Sequence, residues 1–202
     1  MPSSITFSVR ASALNRNTSC FFVEMDSKIK FEIIAAEQHD KNTPEGLYEK
    51  ACAFFNKTDN NPNPKYELAD VDKVWFVIDT DDWKEKIKAL RSKCEQHSNW
   101  FIAQSNPSFE IWLYYHFHFQ KPEIGEVEKA KGMKAYLNGK VKGGFDSRDH
   151  PKHIRTAVIN SEKNYEHEDN EPKEFATNLH ELANQILPLI KEGLDTFLAN
   201  TK

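Results

Sequence analysis

Residues 74–82 read Val-Trp-Phe-Val-Ile-Asp-Thr-Asp-Asp. The first five positions, 74–78, form the strongest strand signal in the chain. They are apolar throughout rather than alternating, the pattern of a strand covered on both faces in a parallel sheet. The run then turns acidic at once, at Asp79, Thr80, Asp81 and Asp82. In an extended segment residues i and i+2 point to the same side, so Asp79 and Asp81 are expected to face one spot. That spot is the carboxyl edge of the strands, where open α/β sheets bind ligands. Close carboxylates repel and raise one another's pKa, and a divalent cation removes the conflict. Magnesium suits the place: it takes one or two carboxylates, keeps several waters and meets substrate phosphates. The alternative reading is a loop in which Asp81 and Asp82 compete to cap a helix.

Working outward, the neighbouring segments alternate between strand and helix signals. Residues 20–24 (CFFVE) and 30–36 (KFEIIAA) read as strands. Thr43 is an N-cap candidate and Pro44 fits the first helical position, where its missing N–H costs nothing. Leu47, Ala51, Phe54 and Phe55 follow at helical spacing, and 58–67 is a loop by composition. Asp82 with Glu85 three residues on makes a capping-box pattern, with Ile87, Leu90 and Cys94 as the buried stripe beyond it. Residues 100–104 read as another strand. Ser105-Asn106-Pro107 then breaks the chain and opens a helix from Ser108 to about Phe119, apolar or aromatic nearly all round. Such a helix is covered on most sides. Further on, 123–136 predicts an amphipathic helix, 138–148 a loop, 149–166 a helix and 166–172 a polar spacer. The last helix carries Phe175, Leu179, Leu182, Ile186 and Leu189 as one stripe, and Pro188 is expected to kink or split it. Strands alternating with helices predict an α/β fold with an open, mainly parallel sheet and flanking helices.

Composition narrows the function classes. The chain has 202 residues with Lys+Arg 27 against Asp+Glu 31, net -4, so a strongly basic nucleic-acid coat is excluded while a local basic face is not. Mean hydropathy is -0.71, and no apolar run approaches the ~20 residues a membrane span takes. Fourteen Phe, 6 Tyr and 4 Trp exclude a fully disordered chain. Cys20, Cys52 and Cys94 form no CxxC pair, which fits reduced thiols, and the N-terminus has no signal-peptide pattern. The expected location is therefore the cytoplasm.

Glu24 ends the run 20–24. If that strand lies parallel to 74–78, Glu24 reaches the same edge. A Glu from one strand plus Asp-x-Asp from another is a pattern of metal-dependent phosphoryl transfer. However, only about five residues separate 20–24 from 30–36, whereas a parallel crossover takes a dozen or more. Either the two form a hairpin or 20–24 is not a strand. Glu110, inside an apolar helix, either meets backbone N–H groups near the helix start or faces the acidic site. Asn106, forced toward an extended conformation by Pro107, caps the helix or contacts substrate, and capping is preferred. His116 reads as a satisfied core histidine. Lys140, Lys142, Arg148, Lys152 and Arg155 form the one basic stretch, with His153 and with Gly143, Gly144 and Phe145 among them. It suits either phosphate contact with one stacked base or an ordinary solvated loop.

The segments VWFVIDTDDW and IAQSNPSFEIWLYYHF resemble the RloB-like family of bacterial defence proteins, related to Toprim domains. Ser105, Asn106, Pro107, Phe109, Glu110, Trp112, Leu113, His116 and Phe117 fill its long aromatic motif. NTPEGLYEKA (42–51) is similar to the segment before the family's acidic strand. ATNLHELANQI (176–186) is similar to its Thr-Asn-x-His helix, with Thr177, Asn178 and His180 in place. The resemblance implies a Toprim-like sheet at about 18–107 and a C-terminal helical extension at about 108–202, in one domain over 1–202. It also implies a Mg²⁺- or Mn²⁺-dependent nuclease acting on DNA or RNA in abortive phage defence, beside an ATPase subunit. By position Asp79 and Asp81, with Glu24, become metal-binding and catalytic residues, supported by Ser105, Asn106 and Glu110. At the first strand end the family's Cys-Glu-Gly and Thr-Glu-Pro are replaced by Val23-Glu24-Met25-Asp26-Ser27-Lys28, which keeps only the Glu. That departure suggests a second function class, a catalytically degenerate module docking an ATPase. A third, a haloacid-dehalogenase-type phosphatase, ranks last because Trp83 stands where that class has Thr or Val.

Overall fold

A computed structural model describes residues 4–9, 21–22, 30–35, 43–59, 61–80 and 83–201. The chain is α/β. Five strands form the main sheet in the order β2-β1-β3-β4-β7: β1 (Ser4–Val9), β2 (Lys30–Ala35), β3 (Lys73–Asp79), β4 (Trp100–Asn106) and β7 (Ala176–Thr177). The first four run parallel and β7 is antiparallel to β4. The sheet is thus open and mainly parallel, and it begins at Ser4, ahead of the span from residue 18 that the resemblance suggested.

The described part of the strand expected at 20–24 is not a strand. Phe21 and Phe22 are helical and buried, packed with Trp75, Val77 and Ala103 on one face of the sheet. The strand partner of β3 is β1 instead, with Val9 opposite Val77. An apolar run this short fits a buried strand or a buried helical turn equally well, and connectivity settles the choice. Residues 10–29 between β1 and β2 are ample for a parallel crossover, and β2 forms where a strand was expected.

Two helices cover the other face. Helix α1 (Pro44–Phe55) starts as the capping signal predicts, with the Gly46 N–H donating to Thr43 Oγ1 at 3.1 Å. Helix α2 (Lys84–Cys94) buries Ile87, Leu90 and Cys94. Its N-cap is Trp83, without a side-chain cap, so the helix starts one residue later than the capping box implies. Alternation along β3 sorts the core. Val74, Phe76 and Ile78 meet α1 and α2, whereas Trp75 and Val77 meet the C-terminal helices.

The C-terminal half builds that second face. Helix α3 (Glu110–Tyr115) is shorter than the expected 108–119, because His116 and Phe117 make tight i→i−3 bonds to Leu113 and Tyr114. The helix expected over 123–136 is two, α4 (Ile124–Lys129) and α5 (Met133–Lys140). Lys131 at φ 63° ends the first, and the Gly132 N–H closes back on the Val127 carbonyl. A 3-10 turn (His150–His153) leads into α6 (Ile154–Asn164). The polar spacer is a hairpin, β5 (His167–Glu168) and β6 (Glu171–Pro172), turned by Asp169 and Asn170 at positive φ. Helix α7 (Leu179–Asn200) passes unbroken through Pro188. Phe175 stands apart from its stripe, in a separate cluster with Ile111, Tyr115 and Tyr136.

Candidate functional site

Helical connections on opposite faces define where a site can form. The connection after β1 places Phe21 and Phe22 on the α7 face, whereas α1 and α2 lie on the other. The winding direction therefore reverses between β1 and β3, the place where a doubly wound sheet opens a ligand crevice at its carboxyl edge. Asp79 is the last residue of β3 at that edge. Its side chain turns to the α3 side, where Oδ1 accepts the Phe109 N–H at 2.8 Å. Thr80 turns to the opposite side and is buried. Its N–H and hydroxyl both donate to the Ser105 carbonyl, at 2.8 and 3.0 Å.

Gln104, fully buried in β4, connects this turn to charged groups. Its Nε2 donates to Thr80 Oγ1 at 3.1 Å and to Glu171 Oε2 at 2.6 Å, while its Oε1 accepts from Arg91 Nη2 at 2.9 Å. Sequence reasoning passed over Gln104. The available signal was an amide at an inward position of an apolar strand.

Ser105, Asn106 and Glu110 all lie near the end of β4. Ser105 is buried and its hydroxyl meets Thr177 Oγ1 at 2.8 Å. The Asn106 amide donates to the Pro172 carbonyl at 2.8 Å and does not cap α3. Glu110, the first residue of α3, accepts from Ser108 Oγ at 2.7 Å. Asn178 completes the edge: its Oδ1 accepts the Gln104 N–H at 2.6 Å and its Nδ2 donates to the Ile102 carbonyl at 3.1 Å. The side chain continues the ladder where β7 ends. The Ser-Asn-Pro and Thr-Asn-x-His motifs, about 70 residues apart in sequence, are therefore two halves of one buried junction.

His116 is a satisfied core histidine. It is buried, its Nδ1 lies 3.0 Å from the Trp112 carbonyl, and burial pushes its imidazole down to about 3. Burial therefore keeps the imidazole neutral and makes it a weak base at neutral pH.

Basic residues expected to meet nucleic acid largely hold carboxylates. Lys140 pairs with Glu126, Arg148 with Asp146, Lys152 with Asp149 and Arg155 with Asp195, at 2.6 to 3.5 Å. These pairs are partly exposed and individually weak, so phosphate can compete for the cations. Lys142 is exposed. A groove of about 720 Å³ also opens at the carboxyl edge beside Thr80 and Asn106, and more acidic side chains than lysines border it.

Glu24 and Asp81 lie outside the described residues. Among the described residues, no group of three or more His, Cys, Asp or Glu side chains stands ready to hold a metal ion. The donors the sequence proposes are carboxylates, hard oxygen ligands of the kind Mg²⁺ and Mn²⁺ take. Asp79 at the strand end fits that chemistry.

A family model for RloB-like protein matches residues 14–186. The chain belongs to the RloB-like family. No curated protein and no solved structure matches it. Most of the RloB-like match falls on the described structure, including the acidic strand end and both halves of the junction. No helix among the described residues is long and apolar enough to cross a membrane.

Proposed function

We propose that this RloB-like chain is a Toprim-like, Mg²⁺- or Mn²⁺-dependent phosphodiesterase, cleaving DNA or RNA in phage defence beside an ATPase partner in the cytoplasm. One observation carries the reading: an Asp-x-Asp sequence leaves the central parallel strand at the point where the sheet reverses its winding, with Asp79 at the carboxyl edge. In this reading Asp79 and Asp81 hold the cation, with Glu24 as the third acid that the family resemblance implies. A cation held there would supply water activation and charge stabilisation at the leaving oxygen. Phe109, through its N–H, orients Asp79. Glu110 adds a further carboxylate to the adjoining turn, and Ser105 and Asn106 hold the end of β4 in place. Lys140, Lys142, Arg148, Lys152 and Arg155 supply backbone phosphate contacts.

A specific observation favours a second reading, the degenerate module that docks an ATPase. The chain leaving β1, the strand beside β3, runs from Arg10 to Val23 without an Asp or Glu. In that case the acid pair lacks a neighbour from the adjacent strand end. Incubation with Mn²⁺ and labelled plasmid, tRNA or p-nitrophenyl phosphate separates the readings. Nucleic-acid cleavage that disappears in Asp79→Asn supports the nuclease. Silence toward every substrate, with no Mn²⁺ bound, supports the docking module. Turnover of the small phosphate ester alone supports a phosphatase.

A further inference from the structure

We propose that the cavity beside the first half of β4 is a nucleoside site: one planar base seats against the strand edge and bonds the Ile102 N–H and the Trp100 carbonyl together. The site is separate from the acidic end of β3 and does not depend on the function proposed above.

The strand edge supplies the first argument. The Val74 N–H donates to the Asn99 carbonyl at 2.9 Å and the Thr80 N–H to the Ser105 carbonyl at 2.8 Å. Odd-numbered residues of β4 therefore turn their backbone groups to β3, and Trp100, Ile102, Gln104 and Asn106 turn theirs outward. That outer side is covered in part. β7 pairs with Ser105 and Asn106, and the Asn178 side chain takes the Gln104 N–H and the Ile102 carbonyl. The Ile102 N–H and the Trp100 carbonyl are left without a partner among the described residues. They are a donor and an acceptor on one side of the chain, with Phe101 between them. Adenine carries the matching pair on its pairing edge, the ring N1 as acceptor beside the N6 amino group as donor.

The cavity supplies the second argument. It holds about 380 Å³ between the C-terminal end of α2 and the β5–β6 hairpin. That is near the lower end of the about 300–1,000 Å³ typical of small-molecule sites. Trp100 and Ile102 both line it. So do His97, whose ring stacks on Trp100 at 4.0 Å, and the neighbouring rings of Tyr165 and His167, 5.4 Å apart. Aromatic walls suit a base, which offers a flat face for stacking.

The charge of the cavity selects against phosphate. Arg91 lines it, but already donates to Gln104 Oε1 at 2.9 Å and lies 3.9 Å from Glu171. Glu95 and Glu181 also line it, and α2 ends there with its negative pole. Carboxylates accept from sugar hydroxyls and repel a phosphate, so a nucleoside fits better than a nucleotide. A peptide adding as a strand fits less well, because Asn178 and β7 already hold the edge from the Ile102 carbonyl onward.

The test titrates the full chain with adenosine and follows amide hydrogen exchange. In the free protein the Ile102 amide should exchange faster than those of Ala103 and Ser105, which are bonded to β3. Saturating adenosine should slow Ile102 about fivefold, the equivalent of one net hydrogen bond, and leave Val77 in β3 unchanged. N6,N6-dimethyladenosine has no N–H for the Trp100 carbonyl and should bind about fivefold more weakly. AMP should bind more weakly than adenosine, and Glu181→Arg, at an exposed position, should narrow that gap. No adenosine binding at millimolar concentration, or binding that leaves Ile102 exchange unchanged, overturns the proposal. AMP binding more tightly than adenosine overturns the nucleoside assignment. A blocked Val-Thr tetrapeptide that protects Ile102 where adenosine does not would replace the site by a strand-adding one.

Discussion

The Asp79 carboxylate accepts the backbone N–H of Phe109 at 2.8 Å. This bond ties the acidic end of β3 to the first turn of α3, and its chemistry is general. The first N–H groups of a helix have no partner within it, and they favour negative charge. The acid is thus held at the start of the most aromatic helix in the chain.

Two substitutions separate the roles of that carboxylate. Asp79→Ala leaves the Phe109 N–H without its acceptor and should cost about 1–2 kcal/mol in urea denaturation. Asp79→Asn keeps an oxygen in place and should cost less than about 1 kcal/mol. Mn²⁺ binding should disappear in both. Retention of metal by Asp79→Asn would remove this residue from the cation site.

Asn178 substitutes for a strand residue, so its loss should be severe. Asn178→Ala strips partners from the buried Gln104 N–H and Ile102 carbonyl together. A destabilisation of about 2–4 kcal/mol is expected. Asn178→Asp should fare little better, since it keeps the acceptor but sets an anion against the Ile102 carbonyl. A melting curve close to wild type for either variant contradicts the edge-ladder role.

The two family motifs should be energetically coupled. Ser105→Ala and Thr177→Val each break the 2.8 Å hydroxyl pair. In a double-mutant cycle the coupling should be about 1 kcal/mol, because the second substitution has no bond left to break. Strict additivity would show that the two motifs only happen to be neighbours.

Acid should weaken the fold through His116. Burial lowers its folded-state pKa from 6.5 to about 3. Between those values the unfolded chain binds the proton and the folded chain does not, so stability falls as pH drops from about 6.5 toward 3. From this one group the slope reaches at most about 1.4 kcal/mol per pH unit. His97, His118, His153 and His180 are shifted down by burial in the same direction. Replacing His116 by Phe should flatten the profile in part, measured as denaturation midpoints from pH 4 to 7. An unchanged slope would mean that the imidazole titrates normally in the folded state.

Strands β3 and β4, the Thr43 cap and the stripes of α1 and α2 were legible because local patterns decide them. An apolar run covered on both faces, a hydroxyl before a proline and a spacing of three to four residues need no knowledge of the rest of the chain. The position of Asp79 at a sheet edge follows from the same reading. Glu24 lacked that support, because the strand meant to carry it was inferred from five apolar-rich residues that suit a helical turn equally well.

Sequence alone thus settled the α/β class, the central strand with its acidic end and the family to which the motifs point. Tertiary structure alone decided that β1 rather than 20–24 flanks β3. It also decided that residues 105–106 close on 172 and 177, and that Gln104 joins Thr80 to Arg91 and Glu171. The division has a physical cause. Caps, stripes and covered strands arise from neighbours in the chain. A two-residue strand such as β7, or an amide satisfied by partners 13, 24 and 67 positions away, exists only once the sheet has brought distant segments together.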